Sequence, residues 1–216
     1  GASVDVVDAN GRTPLLVGCR EGHPHVVAAL CAAGADVGKV DQDGVSPLQA
    51  ACECDRLPVL QALLDSGVSI DAPRADADGS TLLVRTIMVE NHAAFVELLA
   101  RGASVEAPAA NGRTPLCVAC EMGRLEFART LLDRGAGVDH QDADGRTPLL
   151  AAISAKQESV AYELLHRGAA VDMANTKNGW TPLMEAVRHD VGCIVYELLA
   201  LGADPSLRST AAVVDS

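Results

Sequence analysis

The chain has 216 residues, 49% of them hydrophobic but only 2% aromatic, and a formal net charge of −12. That charge argues against a nucleic-acid backbone or an anionic lipid surface as the main partner, since both want a basic face, and it would steer a basic partner. No apolar run approaches the roughly 18–20 residues of a membrane helix, and seven cysteines without framework spacing suit a reducing, intracellular and cytoplasmic setting.

One phrase recurs along the chain. Its copies are Asn10-Gly11-Arg12-Thr13-Pro14-Leu15, Asp43-Gly44-Val45-Ser46-Pro47-Leu48, Asp78-Gly79-Ser80-Thr81-Leu82-Leu83, Asn111-Gly112-Arg113-Thr114-Pro115-Leu116, Asp144-Gly145-Arg146-Thr147-Pro148-Leu149 and Asn178-Gly179-Trp180-Thr181-Pro182-Leu183. The glycines lie 33, 35, 33, 33 and 34 residues apart. A fixed period in this range predicts a solenoid, in which each unit buries its apolar face only against its neighbours.

In chain order, residues 1–7 read as the tail of an upstream unit, because Gly1-Ala2-Ser3-Val4-Asp5 matches Gly102-Ala103-Ser104-Val105-Glu106. This implies a longer parent protein. Units follow at about 8–40, 41–75, 76–108, 109–141, 142–175 and 176–208, with a frayed tail at 209–216. In the fourth, Asn111-Gly112 marks a turn, Thr114 is the expected N-cap and Pro115 the first helical residue. Leu116, Ala119 and Cys120 line a short first helix that Gly123 stops. A second helix carries Phe127, Leu131 and Leu132 at helical spacing and ends at Gly135. The second-helix stripes elsewhere are Val26, Val27 and Leu30; Leu60, Leu63 and Leu64; Phe95, Leu98 and Leu99; Tyr162, Leu164 and Leu165; Tyr196, Leu198 and Leu199.

This grammar, D-x-x-G-x-T-P-L, then an Ala-rich helix, Gly-His or an equivalent, and L-L-x-x-G-A-D-V, resembles the ankyrin repeat family over nearly all of residues 8 to 207. The resemblance implies a single all-α solenoid domain over 1–216, with β-hairpin fingers at one edge, and a role in protein binding rather than catalysis. Several departures stand out. The family's His after T-P-L is replaced by Leu16, Gln49, Val84, Cys117, Leu150 and Met184, so turn rigidity is expected from packing and the Thr cap alone. The third copy has Leu82 for Pro, Glu90-Asn91 for Gly-His and two extra residues within Pro73 to Asp76, which predicts a looser finger and the lowest local stability. An Asn that the family can hydroxylate is replaced by Gly38, Asp71, Glu106, Asp139 and Asp172.

The resemblance also places partner contacts beside each finger glycine and late in each first helix. By register these are Asn10, Arg12, Arg20 and Glu21 in the first unit, and Asp43, Val45, Glu53 and Cys54 in the second. The third gives Asp78, Ser80, Met88 and Val89, and the fourth Asn111, Arg113, Glu121 and Met122. The fifth gives Asp144, Arg146, Ser154 and Ala155, and the sixth Asn178, Trp180, Arg188 and His189. Trp180 is the sharpest of these. It is the only Trp in the chain and sits at a tip, where it is either a binding anchor or packed across its neighbouring finger.

No catalytic residues are expected: His23, His25, His92, His140, His166 and His189 are scattered over different units. His23 matches the family's Gly-His step, a structural role. Cys117 and Cys120 form C-x-x-C, and Cys52 and Cys54 form C-x-C, but Cys19, Cys52 and Cys120 share one repeat position and read as buried fillers, with Cys54 the exposed thiol. No second ligand pair stands near, so neither a metal nor a cofactor is expected. Asp8, Asp41, Asp76 and Asp142 read as turn-capping carboxylates, replaced by Ala109 and Thr176 in the fourth and sixth copies. The leading reading is therefore a non-enzymatic interaction scaffold, monomeric in isolation, that binds a peptide or protein of basic character on its concave face and finger tips. The alternative is a structural spacer or regulatory arm of a larger multidomain protein.

Overall fold

The computed structural model describes residues 3–71 and 79–209, and it holds twelve helices and no strand among them. The chain divides into two compact units, Gly1–Ser104 and Val105–Ser216. The first contains α1 (Pro14–Glu21), α2 (Pro24–Ala32), α3 (Pro47–Glu53), α4 (Leu57–Asp65), α5 (Leu82–Met88) and α6 (His92–Ala100). The second contains α7 (Pro115–Glu121), α8 (Leu125–Asp133), α9 (Pro148–Ser154), α10 (Glu158–His166), α11 (Pro182–Arg188) and α12 (Gly192–Ala200). Within the first unit α1, α3 and α5 pack in series, as do α2, α4 and α6; in the second, α7, α9 and α11 do so, and α8, α10 and α12.

The recurring phrase starts every first helix. The hydroxyls of Thr13, Ser46, Thr81, Thr114, Thr147 and Thr181 accept from the amide three residues on, at 3.1–3.4 Å. Proline follows in five copies, where its missing N–H would have had no intrahelical partner. In the third copy Leu82 takes that place and the helix forms all the same, because the Thr81 cap is kept. The second helices close through a left-handed glycine. At Gly135, φ is 87°, which lets the amides of Gly135 and Ala136 reach the carbonyls of Leu132 and Leu131 at 3.0 Å.

The fingers are turns rather than β-hairpins, and they are not held by the Thr cap alone. One carboxylate oxygen of Asp8 accepts from the amides of Asn10 and Arg12, both at 2.9 Å. Asp41 and Asp142 do the same for Asp43 and Val45, and for Asp144 and Arg146, at 2.9–3.0 Å. In the sixth copy the role belongs to Asn175, which accepts from Lys177 at 2.8 Å and Asn178 at 3.3 Å, and not to Thr176. The extra residue of that copy displaces the capping position by one. Asp76, Asp78 and the insertion at 73–76 lie outside the described residues.

Neighbouring layers are joined by the residues that replace the hydroxylatable Asn. Asp71 accepts from the amide of Ser104 at 3.1 Å, Glu106 from Gly137 at 2.6 Å, Asp139 from Ala170 at 3.0 Å and Asp172 from Asp204 at 3.0 Å. Gly38 has no side chain to do this. On the second helices, Arg101 spans Glu97 and Asp65, and Arg167 spans Glu163 and Asp133, with bonds of 2.6–3.0 Å.

Several carboxylates sit below their ordinary pKa: Asp8 through the Arg12 amide, Asp144 through the Lys177 ammonium, Glu163 through the Arg129 guanidinium and Asp204 through the Ser206 hydroxyl. A lowered folded-state pKa gives stability that is complete above the unfolded value and lost as pH falls through the folded one. The expected melting temperature is therefore level from neutrality to about pH 5 and falls below about pH 4. A scan in which acidification to about pH 3 raised it would contradict this account.

Two apolar stripes differ from expectation. Val26 is 49% exposed, and Tyr196 and Leu199 are 78% and 44% exposed, so these stripe positions are not part of the buried core. Tyr162 is only partly covered and donates its hydroxyl to the Cys193 carbonyl at 3.3 Å.

Candidate functional site

In two layers of the second unit the residue after the finger glycine meets the residue eight positions on, in the last turn of its own first helix. Arg113 pairs with Glu121 in this way, and the Trp180 ring lies 5.1 Å from the Arg188 guanidinium carbon. The Trp180 ring thus lies against the end of its own first helix. Its amide is held by Asn178 Oδ1 at 2.9 Å and its carbonyl by the Asn175 amide at 2.9 Å, so the indole leaves the turn from a fixed base.

In the first unit, Arg12 bonds back to Asp8 at 2.8 Å and Arg20 reaches Asp41 of the next layer at 2.8 Å. Glu53 accepts from Gln49 at 2.6 Å and from Arg85 at 2.7 Å. Asn10, Glu21, Asp43 and Cys54 are exposed, Val45 is half-buried, and Met88 and Val89 are exposed. Ser80 is a correction: it is 3% exposed, so it lies in the finger base and offers no surface to a partner. Asp78 lies outside the described residues.

In the second unit, Arg113, Arg146 and Glu121 come together. Arg146 bonds to Asp142 at 3.3 Å and lies 3.9 Å from Glu121, on the carboxylate that Arg113 also uses. Burial pushes the Arg113 guanidinium below its usual range, and the neighbouring charge of Arg146 adds to this. These two arginines are therefore anchored rather than freely solvated. Asp144 pairs with Lys177 of the next finger. Asn111 and Met122 are exposed, and Asn178, Ser154 and Ala155 are partly covered. His189 approaches Glu185 at 3.3 Å, and Arg188 approaches the same oxygen at 3.8 Å.

Register alone missed Arg85, Lys177 and Glu185. Arg85 and Glu185 occupy a first-helix position that holds Val17, Ala50, Val118 and Ala151 in the other copies, so a charge at an apolar register was the available signal. Among the described residues the histidines are not gathered, and His23 makes no side-chain cap bond to α2; in the third layer Asn91 makes the cap bond that His23 does not. Cys19, Cys52 and Cys120 are fully buried and Cys54 is exposed. Burial pushes the thiols of Cys19 and Cys52 up to about 12 and that of Cys120 well above the ordinary range, which removes the reactive thiolate. Among the described residues, no cluster of three or more His, Cys, Asp or Glu could hold a metal ion, and no helix is long and apolar enough to cross a membrane.

The profile described as "Ankyrin repeats (3 copies)" matches residues 1–74, 70–142 and 131–209. Among solved structures, the ankyrin repeat domain of Bcl-3, described as a unique member of the IkappaB protein family, is 30% identical, with 93% of this chain and 87% of that chain covered and a TM-score of 0.81. The human ASB11 ankyrin repeat domain is 26% identical over 92% of this chain and 88% of its own, with a TM-score of 0.75. An ankyrin repeat domain from Acinetobacter baumannii AYE, 24% identical over 88% of this chain and 98% of its own, shares the fold with a TM-score of 0.78. A search of curated protein sequences returned no match. With its capped helix pairs, its carboxylate-closed fingers and a profile that matches along nearly its whole length, the chain belongs to the ankyrin repeat family, whose domains generally mediate protein–protein interaction.

Proposed function

We propose that this chain is an interaction scaffold that holds a peptide or protein against its finger tips and the inner ends of its first helices. The observation that carries this is the meeting of tip and helix end, most developed in the second unit. There Arg113, Arg146 and Trp180 are each fixed over an inner helix end while remaining within reach of solvent. Exposed Met88 and Met122 add adaptable apolar contact. The net charge of −12 favours encounter with a partner that is basic overall. The domain acts as a monomer in the cytoplasm and catalyses no reaction.

A pull-down from a cell extract with the isolated chain tests this, repeated with Trp180→Ala and Arg146→Ala. Trp180→Ala is expected to weaken partner binding by more than about 1 kcal/mol while the thermal midpoint stays nearly unchanged. A large drop in melting temperature with binding intact would make Trp180 a packing residue instead. A partner retained only when a neighbouring domain is also present would favour the structural-arm reading.

A further inference from the structure

The first and fourth fingers contain the same seven residues, Ala9-Asn10-Gly11-Arg12-Thr13-Pro14-Leu15 and Ala110-Asn111-Gly112-Arg113-Thr114-Pro115-Leu116. They differ at the residue before, which is Asp8 in one and Ala109 in the other. That difference decides what the asparagine does. In the first finger Asp8 Oδ1 accepts from the amides of Asn10 and Arg12, both at 2.9 Å. The Arg12 amide is thus taken, and among the described residues the Asn10 side chain has no hydrogen-bond partner. In the fourth finger Ala109 supplies no side-chain acceptor, and Asn111 Oδ1 takes the Arg113 amide itself at 3.1 Å. Asn178 is held in the same way by the Trp180 amide at 2.9 Å. All three asparagines precede a left-handed glycine whose amide is bonded within the turn: Gly11 to Asp8 at 3.0 Å, Gly112 to Ala109 at 2.9 Å and Gly179 to Asn175 at 2.7 Å. Asn10 and Asn111 are both exposed.

We propose that Asn10 is a site of spontaneous deamidation, and that it reacts ahead of Asn111 and Asn178 because its side chain is unbonded where theirs are held. The Gly11 amide gives its proton to hydroxide or a buffer base, and its nitrogen attacks Asn10 Cγ. The N–Cγ bond forms, the Cγ–Nδ2 bond breaks, and ammonia leaves with a proton from solvent, which gives a five-membered succinimide. Water then opens the ring at either carbonyl, to aspartate or to an isoaspartyl linkage. Glycine permits the attack because it has no side chain to obstruct it. The turn bond on the glycine amide must open in all three fingers, so it does not discriminate among them. The bond on the asparagine oxygen must open only at Asn111 and Asn178, because Cγ has to swing from the amide two residues on to the one next to it. A hydrogen bond of ordinary net strength slows such a step by about two- to tenfold. Asp43 and Asp144 also precede glycine, but an ionised carboxylate is a poor electrophile. In the isoaspartyl product the main chain runs through Cβ and Cγ. The former main-chain carbonyl of Asn10, which accepts from the Gln42 amide at 3.2 Å, becomes a free carboxylate, so a bond between the first two fingers is lost. The site stands independently of the scaffold reading; on that reading, conversion alters a contact position.

The full chain, kept for weeks in mildly alkaline buffer, is sampled by peptide mapping and mass spectrometry, which read the exchange of NH2 for OH at each asparagine. Asn10 is expected to convert at least about threefold faster than Asn111. In urea the two rates should converge, because the surrounding seven residues are the same and only the fold distinguishes them. Two variants test the cause. Ala109→Asp gives the fourth finger the acceptor of the first and should speed conversion of Asn111. Asp8→Ala frees the Arg12 amide for Asn10 and should slow conversion there. If looseness of the finger governed the rate, both effects would reverse, since Asp8→Ala removes two turn bonds and Ala109→Asp adds them. Equal rates at Asn10 and Asn111 in the folded chain overturn the proposal. So does a difference that persists in urea, or an Asp8→Ala chain in which Asn10 converts faster than before.

Discussion

Phe95→Ala is expected to lower the unfolding free energy by about 3–5 kcal/mol, the range for removing a fully buried aromatic side chain. Phe95 is 0% exposed and heads the fully buried side chains by size. It lies on α6 in the third layer, whose core also contains Val84, Ile87 and Leu98, all at most 1% exposed. The chain has only two Phe, and its layers are otherwise filled by Leu, Val, Ala and Cys, so no second large ring can move into the space. A layer in a solenoid leans only on its neighbours, so a cavity there is not shared with a larger core. Urea denaturation followed by far-ultraviolet circular dichroism measures the loss. A cost below about 1.5 kcal/mol would mean that the layer collapses around the gap.

Asn91→Ala is expected to cost about 2–3 kcal/mol, although the side chain is small. Asn91 is 8% exposed, and its two polar atoms do different things. The oxygen caps α6 by accepting from the Ala94 amide at 2.9 Å. The nitrogen donates to the Cys52 carbonyl of the preceding layer at 2.8 Å. Alanine removes a helix cap worth about 1 kcal/mol and leaves a buried carbonyl unbonded, at about 1–3 kcal/mol. Asn91→Asp separates the two roles, because it keeps the capping oxygen and loses the donor. If Asn91→Asp is as stable as the natural chain, the bond between layers contributes nothing. The same position bears on the expectation that the third copy is the least stable. Its finger lies outside the described residues, but its helices are capped and bonded to the layer before them. Hydrogen exchange that found this layer the best protected would rule out that expectation.

The family and the repeat period were legible in the sequence because both are local. A glycine that accepts positive φ, a Thr cap and a Pro at the first helical position act within one turn of chain, and the six copies repeat them in phase. The buried cysteines were legible for a related reason: a position shared by several copies has the same neighbours in each. What could not be read was which side chains bond across layers. Arg85 to Glu53 and Arg146 to Glu121 join residues that are 32 and 25 positions apart, and no local rule selects those partners. Ser80 was misplaced because the register of a finger position says nothing of how deep that finger's base is buried. Asn175 was missed because a one-residue insertion moves the cap without changing the turn.

The sequence by itself determined the helix pairs, their caps and the family, since these follow from backbone preferences and hydrophobic period, which are properties of short segments. Only the tertiary structure decided that Arg113 and Arg146 are anchored on carboxylates and that the Trp180 ring lies against Arg188 of its own first helix. Those outcomes depend on which charges and rings the stacking of layers brings within a few ångströms of one another.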